Sequence, residues 1–229
     1  MSQSPLPLQV AVITGGHSFD VPNFHALFRS MSGTVHATIQ SIDDFASSPE
    51  AVRDSYDVLV FYIMMMAGPT DEGLPWYAGR PRTALEHLGA SPQGIVVLHH
   101  AILSYPEWPV WGSITGLTER SFGYHIGETV TSHIVTPGHP ITRDVEDWVM
   151  IDETYVMADT VEGSEVLITY DHPRSMKAIA WTRQYAASRV FCYQAGHDDR
   201  TWQDVDFRRV LTQGILWSAG VDETAGETE

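Results

Sequence analysis

Basic side chains are scarce in this sequence. Lysine and arginine together number 13 among 229 residues, and Lys177 is the one lysine, whereas 29 acidic residues bring the net charge to −16. A chain with this charge repels both the phosphate backbone of nucleic acids and an anionic lipid surface. We therefore expect neither nucleic acid nor a membrane as a partner.

Cysteine and long apolar runs are also nearly absent. Cys192 is the single cysteine, so an internal disulfide is excluded and a reducing compartment is favoured. It lies in a predicted strand, where a small buried side chain is a commoner role than a nucleophile. No run reaches the roughly 18 apolar residues that cross a bilayer, and residues 1–5 lack the basic and apolar regions of a signal peptide. We expect a cytoplasmic protein.

The order of apolar segments predicts the fold class. With 43% hydrophobic residues the chain can fill one large core, and we expect a single α/β domain over residues 8–220 with an acidic, disordered tail at residues 221–229. Over the first ~100 residues, apolar runs alternate with segments of helical periodicity, which favours a doubly wound, mostly parallel sheet with helices on both faces. The second half adds further strands and one closing helix. Three-layer α/β is the predicted architecture.

Histidines follow three of the predicted strands at the point where each strand ends. The three corners are Thr14-Gly15-Gly16-His17, His99-His100 and Gln194-Ala195-Gly196-His197. In open α/β sheets, ligands bind outside the carboxyl ends of the strands. If these strands are parallel neighbours, His17, His99 and His197 lie at one rim and form the main candidate site.

Some residues at these corners could have a structural role instead of binding a ligand. Gly15 and Gly16 allow the backbone to turn tightly beside a ligand, but the segment lacks the G-x-G-x-x-G pattern, so no NAD binding is expected. His17 could simply hydrogen-bond its own loop. His100 could face away from His99, because adjacent residues at a strand end usually point in opposite directions.

Five short motifs along the chain resemble the successive motifs of the ThuA (trehalose-utilisation) family. The motifs are Val12-Ile13-Thr14-Gly15-Gly16-His17, Leu98-His99-His100-Ala101, Gly138-His139-Pro140-Ile141-Thr142, Asp152-Glu153-Thr154-Tyr155 and Phe191-Cys192-Tyr193-Gln194-Ala195-Gly196-His197. The resemblance runs from about Val10 to Gly220. It implies a class I glutamine-amidotransferase-like, flavodoxin-like fold. It also implies an activity on sugars, in pathways with oxidoreductases that make 3-keto-glycosides. A metal in the pocket is implied as well.

The resemblance also points to a change of chemistry at one corner. In glutamine amidotransferases the strand that corresponds to residues 95–98 ends in a cysteine nucleophile on a strained elbow, and here His99 holds that position. Glutaminase chemistry through a thiolate is therefore not expected. With Glu153 added, His17, His99 and His197 offer the nitrogen and oxygen donors that zinc or another divalent ion accepts. We expect His99, Glu153 and His197 to be catalytic and all four residues to be metal ligands.

Further residues near the rim are candidates for substrate contacts. Trp108 and Tyr155 each lie a few residues from a candidate corner and offer flat apolar faces on which a sugar can stack. We add His100 and Asp198 as polar contacts, although Asp198 could instead fix the tautomer of His197.

Two functions follow as hypotheses. The first is a metal-assisted or histidine-based lyase, isomerase or hydrolase that acts on a sugar or keto-sugar, with a possible pathway link to a sugar oxidoreductase. The second is a non-catalytic module that binds a sugar or a partner on a glutamine-amidotransferase-like shell. The family and the tryptophans lead us to expect a homo-oligomer.

Overall fold

The computed structural model describes residues 6–221. This part of the chain contains nine strands and seven helices. The strands are β1 Leu8–Gly15, β2 Val35–Ser41, β3 Val58–Ile63, β4 Gly94–Leu98, β5 Gly123–Ile134, β6 Trp148–Val156, β7 Ser164–Tyr170, β8 Ala178–Tyr185 and β9 Ser188–Tyr193. The helices are α1 Val21–Arg29, α2 Ile42–Ser47, α3 Glu50–Arg53, α4 Pro81–Glu86, α5 Pro109–Thr115, α6 Asp199–Trp202 and α7 Val205–Ser218, and a 3₁₀ turn spans His99–Leu103.

All nine strands belong to one mixed sheet, in the order β2-β1-β3-β4-β9-β8-β7-β5-β6. The first five strands in this order run parallel to their neighbours, as predicted. The remaining pairs are all antiparallel, so the expectation of a mostly parallel sheet is wrong for the second half of the chain. One of these pairs has a local cause: only a short turn separates β8 from β9, and a turn of that length can join only antiparallel strands.

Helices cover both faces of the sheet, which confirms that part of the prediction. Every residue of β3 and β4 is buried, as expected of central strands covered on both sides. Phe191 and Cys192 are neighbours on β9 and point to opposite faces. The Phe191 ring packs against Gly214 of α7, whereas the Cys192 thiol lies 3.8 Å from the Thr115 carbonyl oxygen of α5.

Side-chain caps define the ends of several helices. Asp20 caps α1 by accepting a hydrogen bond from the Asn23 amide, and Pro22 occupies the first turn, where its missing N–H leaves no hydrogen bond unmade. A capping box between Ser41 and Asp44 begins α2, which the periodicity did not predict. With only six residues, α2 is too short for an apolar period to stand out.

The β5–β6 hairpin brings an acidic segment to the carboxyl ends of the parallel strands. β6 continues through Asp152, Glu153 and Tyr155, and the irregular pairing between His125 and Glu128 lets its partner β5 change course. Side chains two residues apart on a strand lie on one face. Glu153 and Tyr155 therefore face the same way.

No helix within residues 6–221 is long and apolar enough to cross a membrane. Residues 222–229 of the predicted acidic tail lie outside the described residues. Val221, the first residue assigned to that tail, donates its amide hydrogen to the Leu216 carbonyl oxygen and packs against the core.

Candidate functional site

The corner after β4 has the strained backbone that the elbow position implies. His99 follows Leu98 directly and has a φ of 53°, a left-handed conformation that non-glycine residues seldom adopt. Its side chain is fully buried. Such strain persists only where the surrounding structure enforces it, and it is concentrated at functional sites.

One imidazole nitrogen of His99 lies at the centre of a compact polar cluster. His99 Nε2 is 3.2 Å from Glu153 Oε2, and His197 Nδ1 is 3.3 Å from each of these two atoms. The Tyr155 hydroxyl donates a hydrogen bond to Glu153 Oε2 at 2.8 Å and lies 2.9 Å from His99 Nε2. Four side chains, from the ends of β4 and β9 and from β6, are thus joined by contacts of hydrogen-bond length.

Backbone and amide groups hold this cluster in place. The other nitrogen of His99, Nδ1, donates to the Gln194 carbonyl oxygen at 2.7 Å. The Gln194 side chain in turn donates to the Glu153 carbonyl oxygen at 2.9 Å. The proton on Nδ1 fixes the tautomer, so the lone pair of a neutral His99 is on Nε2, facing Glu153 and His197.

Asp152 anchors the loop that carries His197. Its carboxylate accepts hydrogen bonds from the Gly196 amide at 2.9 Å, the His197 amide at 3.0 Å and the Thr201 hydroxyl at 2.9 Å. Burial raises the pKa of the Asp152 carboxyl, and His99 together with these backbone hydrogen bonds offsets only part of that effect. β6 is therefore tied to the end of β9 by a buried acid.

The protonation states of the cluster follow from its contacts. Burial alone would raise the pKa of Glu153, but hydrogen bonds with His197 and His99 outweigh burial and hold that pKa well below its usual range. The hydrogen bond with Glu153 raises the pKa of His197, against the opposite effect of burial. Burial raises the pKa of Tyr155 well above its ordinary value. An ionised Glu153 thus faces a phenol that keeps its proton.

A cavity of about 260 Å³ opens beside the cluster. It is lined by His17, Met64, His100, Phe122, Tyr124, Ile126, Glu153, Tyr155 and His197. His17 is exposed, and its ring centroid lies 4.9 Å from that of His100. His100 is 2% exposed, donates from Nδ1 to the Ile63 carbonyl oxygen at 2.9 Å, and has a pKa that burial and the neighbouring His99 lower well below the ordinary value. The cavity is polar on the histidine side and apolar on the side of β5.

Comparison with known proteins identifies the family. A family model for ThuA, described as trehalose utilisation, matches residues 9–218. The chain belongs to the ThuA family. No sequence among the curated proteins matches this chain.

Solved structures with similar folds include two further ThuA-like proteins. The one from Bacteroides uniformis has a TM-score of 0.71 and 16% identity, over 97% of this chain and 95% of that chain. The one from Parabacteroides merdae has a TM-score of 0.70 and 16% identity, over 97% of this chain and 94% of that chain. A protein assigned to GMP synthase from Thermoplasma acidophilum has a TM-score of 0.56 and 11% identity, over 98% and 100% of the two chains. These identities show the fold alone, which is glutamine-amidotransferase-like.

The structure of this protein brings together most, but not all, of the site residues selected from the sequence. His99, Glu153, His197 and Tyr155 form the cluster, and His17 and His100 line the adjacent cavity. Among the described residues, three at this site have ligand atoms close enough to hold one ion: His99, Glu153 and His197. His17, which we also expected to be a ligand, is outside this group and lies beside His100.

Trp108 and Asp198 lie away from this cavity. Trp108 precedes α5, where its ring contacts Tyr105 at 5.6 Å between centroids and its carbonyl oxygen accepts a hydrogen bond from Arg120. Asp198 caps α6 through the Arg200 amide and pairs with the Arg200 guanidinium. Their assignment as substrate contacts remains a prediction.

The sequence alone did not identify the residues that hold the polar cluster of His99, Glu153, Tyr155 and His197 in place. Tyr62 on β3 contacts the His100 ring at 4.2 Å between centroids and donates a hydrogen bond to the His197 carbonyl oxygen at 3.2 Å. Asp152 and Gln194 fix the loop and the tautomer. A usable signal existed only for Gln194, a polar residue directly after an apolar strand.

Gly16 lies in close contact with the backbone that follows β3. Its φ is 75°, and a Cβ atom there would lie 2.3 Å from the Met64 carbonyl oxygen. We expect Gly16→Ala to lower the free energy of unfolding by at least about 2 kcal/mol, because the left-handed conformation is strained and the loop must move. Chemical denaturation measures this loss. Gly33→Ala, which adds a Cβ in open space, is the control, and an equal loss in both variants would contradict the argument.

Proposed function

We propose that this ThuA protein is a metal-dependent enzyme that acts on a sugar or keto-sugar and lacks glutaminase activity. In this proposal His99, Glu153 and His197 are the ligands of one divalent ion. The observation that carries the proposal is the spacing of their three ligand atoms. The sugar comes from the family description, which is trehalose utilisation.

The donor set fits a borderline divalent ion such as zinc. Ligand atoms at about 2.0–2.1 Å from zinc in a tetrahedral site lie about 3.3–3.4 Å from one another. The three separations in the cluster are 3.2, 3.3 and 3.3 Å. Two imidazoles and one carboxylate also form a common ligand set for catalytic zinc, with a position left for water or substrate.

The groups around the cluster support the same assignment. A metal-binding histidine almost always donates its other N–H to a carbonyl or carboxylate, and His99 donates from Nδ1 to the Gln194 carbonyl oxygen. Glu153 is held in the ionised form that a ligand needs. The site is therefore organised before any ion arrives.

The remaining residues of the cavity suit work on a carbonyl or hydroxyl compound. A divalent ion held there would supply Lewis acidity to a substrate carbonyl or to water. Tyr155 keeps its proton and orients Glu153 by donating to it. His17 is exposed at the cavity, and we assign it the transfer of a proton between substrate and solvent. These residues could together catalyse a lyase, isomerase or hydrolase reaction. The substrate would be a keto-sugar that an oxidoreductase has made.

Glutaminase chemistry has no nucleophile at this site. The elbow carries an imidazole, and Cys192 is buried within β9, where burial raises the pKa of its thiol well above the ordinary value. A thiol in that position stays protonated and inert. The amidotransferase-like fold thus supports a different reaction.

Metal content tests the proposal. Protein purified without a histidine tag should contain one zinc, manganese or nickel ion per chain by elemental analysis. Zinc added to the chelator-treated protein should raise its unfolding free energy by about 2.7 kcal/mol at a free concentration of one hundred times the Kd.

A matched control separates this site from adventitious surface binding. Glu50, Asp54 and His87 form the other acidic-histidine group of the described residues that is close enough to hold an ion, and it is largely exposed. His87→Ala should leave the stoichiometry and the stabilisation unchanged. Loss of the ion in that variant, or a protein that takes up no divalent ion, would contradict the proposal, and sugar binding by a metal-free protein would favour a binding module.

A further inference from the structure

His100 has one ring nitrogen without a partner in the protein. Its Nδ1 donates to the Ile63 carbonyl oxygen at 2.9 Å, whereas its Nε2 is buried and contacts no hydrogen-bonding group of the described residues. A buried polar atom left unpaired destabilises the folded protein. Because the proposed ion uses His99, Glu153 and His197, the proposed function does not account for this nitrogen.

The position of the ring shows what could pair with Nε2. His100 lines the cavity beside the cluster, between the rings of Tyr62 and His17 at 4.2 and 4.9 Å. Nδ1 is tied to the end of β3, and Nε2 lies on the opposite edge of the five-membered ring. A carbonyl oxygen only accepts, so Nδ1 carries the hydrogen, and this tautomer leaves a lone pair at Nε2. The complementary group is a hydroxyl or other donor of a molecule in the cavity.

The size and walls of the cavity narrow the class of molecule. Its volume of about 260 Å³ lies below the roughly 300–1,000 Å³ of pockets for drug-sized ligands. Phe122, Tyr124 and Ile126 form an apolar wall, and Tyr124 and Ile126 are 59% and 57% exposed. Large apolar side chains that stay exposed at a cavity mark a binding surface. Such a wall fits the C–H face of one sugar ring, and a cavity of this volume favours a single ring over a disaccharide.

We propose that the cavity selects a single hydroxylated ring, and that His100 Nε2 accepts a hydrogen bond from one hydroxyl of that ring. His100 is then a specificity-determining residue for the substrate and not a metal ligand. This inference rests on the proposed function, because the ring is placed beside the proposed ion.

Two substitutions at His100 separate its two hydrogen-bonding edges. Asparagine can keep the donor to Ile63 but has no acceptor at the Nε2 position, whereas glutamine can place an amide oxygen near that position. The probes are D-glucose, its monodeoxy derivatives and trehalose, titrated calorimetrically into the zinc-loaded full chain. The wild type should bind glucose more tightly than trehalose, and one monodeoxy derivative about three- to tenfold more weakly than glucose.

The comparison of sugars within each variant gives the decisive result. In His100→Asn the difference between glucose and that derivative should disappear, and in His100→Gln most of it should remain, since a double-mutant cycle isolates one hydrogen bond. An unchanged difference in His100→Asn, tighter binding of trehalose, or no glucose binding up to its solubility limit would overturn the inference. Zinc content, measured on the same preparations, distinguishes these failures from a failure of the proposed metal site. Loss of zinc in His100→Asn would also overturn the inference, because it would make His100 a ligand.

Discussion

His99→Ala should yield a folded protein that has lost its divalent ion. His99 Nε2 lies 3.2 Å from Glu153 Oε2 and 3.3 Å from His197 Nδ1, so its removal leaves two of the three proposed ligands. Loss of an outer partner typically costs about 10–100-fold in metal affinity, and loss of a ligand itself should exceed the upper end of that range. Competition titration of zinc against a chelator, on untagged protein, measures the change.

The metal-free proteins provide the control for stability. His99 is fully buried, and its removal leaves the Gln194 carbonyl oxygen without its hydrogen bond, which should cost about 1–3 kcal/mol. For a chain of this size each kcal/mol lowers the Tm by about 2–4 °C. If His99 only supports the architecture, the variant will lose this stability yet keep full zinc occupancy and sugar binding, which would contradict the proposed role.

His99→Cys provides a second control at the same elbow. The substitution restores the residue type of the glutamine amidotransferase nucleophile at a backbone with a φ of 53°. Ammonia release from glutamine should nevertheless stay at background, because the reaction also needs a base and oxyanion donors aligned with the thiolate. Glutamine hydrolysis by this variant would show that the amidotransferase machinery persists around the elbow.

The sequence predicted the rim of the site because two local signals agreed there. Apolar runs mark the parallel strands, and His17, His99 and His197 follow those runs directly. In a parallel sheet the carboxyl ends meet at one edge, so residues far apart in sequence become neighbours by topology alone. The structure places the His99 and His197 rings 5.3 Å apart between centroids.

Other features depend on contacts that no local pattern encodes. The antiparallel pairing of β7, β8 and β9 follows from short connections, which an apolar count does not distinguish from crossovers. Trp108 is close to the elbow in sequence, yet its ring packs on Tyr105, because α5 begins at the next residue and redirects the chain. Gly16 suggested a ligand, whereas the close neighbour is the Met64 carbonyl oxygen of a loop 48 positions later.

Asp152 is the clearest case of a residue whose role depends on tertiary structure. In the sequence it is half of an acidic pair before Thr154, a pattern common on protein surfaces. In the fold it is 1% exposed and joins β6 to the loop after β9 through hydrogen bonds with Gly196 and His197. Its contacts span 44 and 45 positions of the chain, so only the completed sheet reveals them.

Asp152→Asn should therefore be strongly destabilising and should also weaken metal binding. The carboxylate accepts three hydrogen bonds, from the amides of Gly196 and His197 and from the Thr201 hydroxyl, and the NH2 of asparagine would face donors at one of its two positions. At least one buried donor would then lack an acceptor, which costs about 1–3 kcal/mol, so we expect a loss of that size in the free energy of unfolding.

Displacement of the His197 backbone should lower zinc affinity by about 10–100-fold. This is the usual loss when a residue that hydrogen-bonds a metal ligand is removed. Chemical denaturation and zinc titration of the same preparation measure both effects. Asp171→Asn, at an exposed aspartate, is the control and should change stability by no more than about 0.5 kcal/mol. A stable Asp152→Asn protein with unchanged zinc affinity would mean that the loop after β9 holds its position without the buried carboxylate. The sheet alone would then determine where His197 lies.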